Sequence, residues 1–365
     1  MNKDTIVLTR RIQLLVNSKD KEVIKDGYRK LFDWRYSCFR AANYLFTHYY
    51  LQEQIKQLIY LTEGTRVRLG DIVKDPEGIL VTSRLNSARR ILLKHLKGDI
   101  PMSILDSLMI SLFQKYNNEK GDYMTGKKVL PCYKLDRAIP VKGRNFTQWA
   151  VAENGRDYTF RLFSLYFRTY LGKDFYDKKP LLDKMAAGNL KLCTSKIQLK
   201  DKKIYLLASF EMEKENHVLD TATIAEASLS IDHPILVKVG KKIYPIGNRE
   251  EFLYRRLAIQ AARQRVEKGS RYCSGGHGRK KKLAALEHFT DKEKNYVSTK
   301  LHLYSKRLIE ICLKHRAGTL LLVDQLDKEE AAKEDQFLLR NWSYFELKQK
   351  IAYKAGRAGI TVIEE

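Results

Sequence analysis

The sequence contains no Cys-x-x-Cys pair. Its five cysteines, Cys38, Cys132, Cys193, Cys273 and Cys312, are odd in number and widely spaced. That argues against a cysteine zinc site and for reduced thiols in an intracellular compartment. No apolar run approaches the ~20 residues that span a bilayer. The opening stretch "MNKDTIVLTRR" lacks the apolar core of a secretory signal. A lipid signal and a compact basic amphipathic helix are also missing, so no membrane partner is expected and a cytoplasmic location is. His233, His277 and His288 show no ligand spacing, so no metal site is expected from histidine.

Acids are scarce as well. There are 43 Asp and Glu against 68 Lys and Arg, a formal net charge of +25. The surplus is spread along the chain rather than gathered in a tail, and a basic folded protein of this kind attracts polyanions. Nucleic acid is the leading partner. The hydrophobic fraction of 44%, with 10% aromatics, supports packed cores and excludes a disordered chain. A length of 365 residues exceeds one ordinary core and predicts about two or three domains.

Thr5 to Asn17 is rich in β-branched residues and reads as a strand. From about Asp20 the period changes: Leu31, Trp34, Cys38, Ala41, Leu45 and Tyr49 recur at steps of three and four, the stripe of a long helix. "TSRLNSARRILLKHLKG" has a Thr/Ser start and a Gly stop, the marks of a capped helix. A third helix follows Pro101. Residues from Val129 to Met212 read as strand, ending in a hairpin around "KDKK". Glu215 to Ser228 is polar and reads as irregular, a domain boundary. Beyond it come a strand hairpin, a helix, a basic Gly-rich loop "RYCSGGHGRKKK", a long helix, the strand "AGTLLLVDQL", a helix and the strand "ITVIEE". That order predicts a three-layer α/β domain.

Two acids end strands in this last part: Asp232 in "LSIDHP" and Asp324 in "LLLVDQL". For either one, a turn cap and a functional carboxylate stand level. Together, in a basic protein, they favour a phosphodiester-processing metal site, chemistry that uses two Mg2+ ions and generally three or more carboxylates.

The order "SID", "SGGHGRKKK", "LLLVDQL" and "NWSYFELKQKIAYKAGRAGITV" resembles the RuvC half of TnpB, the transposon-encoded RNA-guided endonuclease family ancestral to type V CRISPR effectors. Trp342, Tyr344, Leu347, Tyr353, Lys354, Ala355, Gly359, Ile360 and Val362 match that family's "W-x-F/Y-x-x-L … Y-K-A … G-I-x-V" run. The resemblance implies an α+β multidomain fold. A β-barrel-like wedge domain (1–20 and 126–215) carries a helical recognition insert (21–125). A linker (216–227) leads to a RuvC-like, RNase H-like α/β domain (228–365).

Three departures from the family pattern shape the expected activity. The "G-I-D-x-G" turn is here Ser230-Ile231-Asp232-His233-Pro234, with both glycines gone. Asp324 stands where the family has a glutamate, retracting the carboxylate by more than ~1 Å, when metal ligation tolerates tenths. The chain stops at Glu365, before the family's zinc ribbon and third acid, so the domain is expected to be truncated. Glu364 and Glu365 are expected to be solvated terminal charges.

The resemblance is therefore closest to the nuclease-dead TnpB-like repressors called TldR. It implies a bacterial cytoplasmic protein that is not an enzyme, with Asp232 and Asp324 vestigial, no zinc, and no need for Mg2+. A guide RNA, with a short flanking motif, would direct it to a double-stranded promoter site, one protein to one RNA, where it blocks transcription. An active guided endonuclease with a reduced metal site, and an RNA-binding remnant, are the alternatives. For nucleic-acid backbone the candidates are Arg263, Arg265, Lys268, Arg271, Arg279, Lys280, Lys281 and Lys282, crowded around the Gly-rich loop; a plain solvated loop is the competing account of the lysine run. Arg84, Asn86, Arg89 and Arg90 are candidates for reading the flanking motif. Tyr44, Tyr49, Tyr50 and Trp149 are candidates for base stacking.

Overall fold

A computed structural model describes residues 5–58, 82–172, 177–228, 233–272, 279–323 and 344–364. The fold is mixed α and β, in two compact units, Val7–Met212 and Glu213–Glu365, the latter taking in Met1–Ile6.

In the first unit, strand β1 (Thr5–Val16) leads into helix α1 (Lys21–Leu58), followed by α2 (Arg84–Leu96) and α3 (Met102–Met124). The stripe read from the sequence is the buried face of α1: Leu31, Trp34, Cys38, Ala41, Leu45 and Tyr49 are all in the core. Phe46 meets Tyr116, Tyr123 and Tyr133 edge-on with centroids 5.5–5.7 Å apart, which clamps α1 to α3 and the chain beyond it. Ser83 precedes α2 without a side-chain cap bond, and Gly98 follows it at φ +95°.

Strands β2 (Ile139–Val141), β3 (Phe146–Val151), β4 (Tyr158–Leu162), β5 (Leu165–Tyr170), β6 (Lys191–Leu192), β7 (Ser195–Lys200) and β8 (Lys203–Glu213) complete the sheet with β1. Its order is β2-β7-β8-β1-β5-β4-β3, with β6 also on β8. The outermost strands, β2 and β3, are joined by residues 142–145 alone. Four residues reach at most about 14 Å, so the sheet curls until its edges approach, in the manner of a barrel. Asp201 and Lys202 both have positive φ, the turn that matches strand twist between β7 and β8. A short helix, α4 (Lys179–Ala186), interrupts the region read as strand; it has Pro180 in its first turn and buries Leu181 and Leu182.

The second unit holds β9 (Asp220–Ser228), β10 (Ile235–Val239), β11 (Lys242–Ile246), α5 (Arg249–Tyr272), α6 (Arg279–Lys314), β12 (Ala317–Leu322), α7 (Tyr344–Ala358) and β13 (Thr361–Glu364). The sheet order is β11-β10-β9-β12-β13. The first three strands are antiparallel, while β12 runs parallel to both β9 and β13.

Two readings change here. The stretch read as irregular is largely β9, the central strand. Its inward positions are Ala225 and Ala227, small residues that let α-helices pack closely but give no apolar alternation to read. Both ends of the basic loop are helix: Arg271 and Tyr272 belong to α5 and Arg279–Lys282 open α6, while 273–278 lie outside the described residues. Among the described residues no helix is long and apolar enough to cross a membrane.

β9 and β12 approach closely at Gly318, where an added Cβ would lie 2.8 Å from the Asp220 carbonyl oxygen and 3.0 Å from Thr221 Cα. Gly318→Ala must therefore push two backbones apart and is expected to cost about 1–3 kcal/mol. Gly121→Ala, inside α3 with open space around it, is expected to stabilise by about 0.5–1 kcal/mol. Urea unfolding of both variants checks the pair; an unchanged midpoint for Gly318→Ala would contradict the close approach.

Candidate nucleic-acid interface

The outward face of the first sheet brings together what the sequence scattered. In β5 the pattern alternates: Leu165, Phe167 and Thr169 point inward, while Tyr166, Arg168 and Tyr170 point outward, both tyrosines about half exposed. Cross-strand register extends the row. Arg161 of β4 sits opposite Tyr166, with its guanidinium 5.6 Å from the ring centroid. Gln13 and Leu15 of β1 sit opposite Tyr170 and Arg168. Further along β1, Arg11 stacks over Tyr205 of β8 at 3.7 Å. β1, β4 and β5 contain no acid. Exposed rings carry π-faces for bases, and the interleaved guanidiniums attract phosphate. This face was missed because the same alternation also marks any half-buried strand; the signal was the identity of the outward residues.

The residues singled out in the sequence fare unevenly. On α2, Asn86, Arg89 and Arg90 share the exposed face. Arg84 turns away from it. Its Nε donates to Gln52 Oε1 at 3.1 Å, it pairs with Glu53, and both charged side chains are mostly buried. Two of its donors hold α2 to α1. Tyr44 is on the surface, its ring 5.0 Å from that of His95 and its hydroxyl 3.3 Å from Arg40. Tyr49 is a correction: it is fully buried, packs on Phe113 and Tyr116, and donates to the Met109 carbonyl at 3.3 Å. Burial pushes its hydroxyl far above the ordinary tyrosine range. A ring sealed in the core cannot stack on a base. Tyr50 is half-buried against the same core, and Trp149 lies flat on Phe160 with centroids 4.3 Å apart.

In the second unit, Arg263, Arg265 and Lys268 are exposed on α5. Arg263 and Arg265 are two residues apart on a helix, which aims them roughly 200° apart, so they do not form one cluster. The side chains of Arg271 and Arg279–Lys282 lie outside the described residues, as do Asp232, Asp324, Trp342 and Glu365. The strands that lead to the two acids are described: β9 and β12 are adjacent and parallel, with Ala227 opposite Leu322, so they end at one edge of the sheet. Glu364 stands at the same edge, opposite Leu322, in a paired strand rather than a frayed end. Among the described residues no group of three or more His, Cys, Asp or Glu could hold a metal ion.

No family model matches the chain. Over 197 residues, 51% of this chain, it is 30% identical to the CRISPR-associated endodeoxyribonuclease Cas12f1 of Sulfoacidibacillus thermotolerans. Over 88 residues it is 39% identical to the protein of the same name from Syntrophomonas palmitatica. These matches cover 45% and 17% of the two relatives, so the chain spans less than half the length of the curated relatives it matches. A solved Cas12f1–sgRNA–target DNA complex superposes with a TM-score of 0.68, at 14% identity, covering 99% of this chain and 89% of that one. The fold is therefore that of Cas12f1. The names support the TnpB-like resemblance, extended here to Cas12f1, and carry nothing on the TldR subtype. The expectation that the protein is not an enzyme is overturned: the relatives are named endodeoxyribonucleases.

Removing an outward ring should leave the fold intact and weaken binding. Tyr166→Ala and Tyr170→Ala are each expected to cost about 1–3 kcal/mol in affinity for single-stranded nucleic acid, with an unchanged melting temperature. Tyr49→Ala is expected to do the reverse, costing about 3–5 kcal/mol of stability. Fluorescence anisotropy with calorimetry separates the two, and equal affinities for wild type and Tyr170→Ala would remove the sheet face from the interface.

Proposed function

We propose that this protein is an RNA-guided DNA-binding effector, one chain on one guide RNA, that acts on double-stranded DNA. The observation that carries the proposal is the 30% identity over 197 residues to a Cas12f1 endodeoxyribonuclease. The charge of +25 and the outward Tyr/Arg sheet face supply what such binding needs, an acid-poor surface with rings for bases and cations for phosphates. Base pairing with the guide would read the target, and the protein would read a short flanking motif. Asn86, Arg89 and Arg90 on α2 are the exposed candidates for that motif.

DNA cleavage enters through the relatives' name. Asp232 and Asp324 come after Ser228 and Val323 in the sequence, and the two strands before them are adjacent and parallel; this supports a reading in which the two carboxylates share divalent-metal phosphodiester chemistry. A Mg2+ ion bound there would polarise the phosphate. Guided occupancy of a promoter would in addition keep polymerase away without any chemistry.

Purifying the protein from its host and sequencing the RNA that accompanies it tests the guided reading. One discrete structured RNA with a variable 3′ end is expected, and that end names the target: a promoter match makes repression the outcome of binding. Recovery of no defined RNA overturns guidance. With the guide in hand, Asp232→Ala is expected to abolish Mg2+-dependent cleavage while leaving target binding unchanged; cleavage unaffected by this substitution would remove the acid from the chemistry.

A further inference from the structure

Helices α6 and α7 pack through Leu301, Tyr304 and Leu308 on one side and Leu347, Ile351 and Ala355 on the other, all buried. At the rim of this seam three nitrogen-bearing side chains meet with little acid to balance them. Lys354 Nζ donates to the His302 carbonyl and to Ser305 Oγ, the latter at 2.9 Å. Lys350 Nζ lies 3.2 Å from His302 Nε2. An ammonium ion can only donate, so His302 accepts through Nε2 and is neutral in this arrangement. The serine hydroxyl in turn donates to the Leu301 carbonyl at 2.7 Å. Other charged groups facing the cluster come from α6: Lys306, which adds repulsion, and Glu310, which pairs with Lys306 at 3.5 Å. No carboxylate bonds Lys350 or Lys354 among the described residues. Two hydrogens of Lys354 are satisfied by neutral acceptors, and the third N–H has no partner among the described residues.

We propose that Lys350, Lys354 and His302 form a binding site for a nucleic-acid phosphodiester at the α6–α7 seam, with His302 orienting Lys350 and Ser305 fixing Lys354. The inference rests on the nucleic-acid reading above but needs no guide. The site fits a singly charged oxyanion: two ammonium groups supply charge and free donors, and the neutral imidazole holds one of them in place. It differs from an ordinary lysine patch in its response to pH. Burial, and then the neighbouring Lys350 and Lys306, lower the Lys354 ammonium to about 8. Burial, followed by Lys350 and Lys354, also lowers His302. A bound phosphate relieves the repulsion and raises Lys354 towards its ordinary range, so binding takes up a proton. The contribution of Lys354 to affinity is complete below about 8 and is lost as pH rises through the higher value of the bound state.

The test uses the purified full chain, stripped of bound RNA, and a short single-stranded oligonucleotide made once as RNA and once as DNA. Lys354→Met is expected to weaken binding roughly tenfold, the equivalent of one hydrogen bond to a charged group. It should also lower the dependence of log affinity on log salt by about 0.7, the share of one phosphate contact on a single strand. Lys354→Arg is expected to keep the affinity and abolish its fall above pH 8, because arginine stays protonated. A loss on both oligonucleotides is expected of a site that reads phosphate alone; a loss confined to one supports the site and assigns its strand. Salt slope and pH profile equal to wild type in Lys354→Met overturn the proposal. Should that variant fail to fold, a pH profile of Lys354→Arg identical to wild type overturns it independently. Failure to recover a guide RNA would sink the guided reading and leave this result standing.

Discussion

Acids are the limiting resource of this protein. With 68 lysines and arginines against 43 carboxylates, internal pairing must leave cations over. The described acids at helix seams are already committed. Glu53 holds Arg84 between α1 and α2, and Glu293 holds Arg256 at 2.8 Å between α5 and α6, where Glu251 also takes Lys300. The Glu53–Arg84 and Glu293–Arg256 pairs are largely shielded from water, so breaking either would strand a buried charge, whereas Glu251 is exposed. The surplus is displaced to surfaces poor in acid: the outward face of β1, β5 and β4, and the rim of the α6–α7 seam, where Glu310 pairs with Lys306 and no described carboxylate bonds Lys350 or Lys354. Such surfaces attract a polyanion because nothing within the chain completes them. The same shortage thus determines how the helices are pinned and where nucleic acid can be held.

Elements built on large apolar residues at a regular period were legible in the sequence. α1 declared itself through Leu31, Trp34, Cys38 and Leu45, and β8 through Ile204, Leu206, Ala208 and Phe210, because burying each side chain removes enough apolar surface to demand the position. β9 was not legible. It is the central strand of its sheet, yet its inward residues are alanines that contribute little area and have poor strand propensity. What makes it a strand is non-local: pairing with β10 on one side and β12 on the other. α4 escaped for a different reason, since eight residues give only about two turns over which a period can show.

At the candidate interface, residue type was legible and direction was not. Tyr44 and Tyr49 lie five positions apart on one helix; one faces water and the other fills the core. Arg84 and Asn86, two apart, are divided in the same way between an internal ion pair and the surface. Composition cannot distinguish them, because an aromatic or an arginine serves a seam as well as a ligand. Register settles the matter where it is fixed from both sides. Tyr166 and Tyr170 must point together, since Phe167 between them is locked into the core and each has a cross-strand partner.

The second sheet carries the strongest constraint on chemistry, and it comes from backbone alone. β12 runs parallel to β9 and to β13, and Leu322 stands level with Ala227 on one side and Glu364 on the other. Three neighbouring strands therefore finish at a common edge. In open α/β sheets the carboxyl ends of parallel strands are where ligands are held, because loops there can vary while the strands fix their starting points. Gly318 sharpens that alignment. With no Cβ it lets β12 close on the backbone of Asp220 and Thr221, at the start of the pairing whose far end sets the edge. A side chain at 318 would prise the strands apart there and shift their ends relative to each other. Metal-dependent chemistry tolerates only tenths of an ångström in its carboxylates, so a glycine remote from the acids is expected to govern whether they can act together at all.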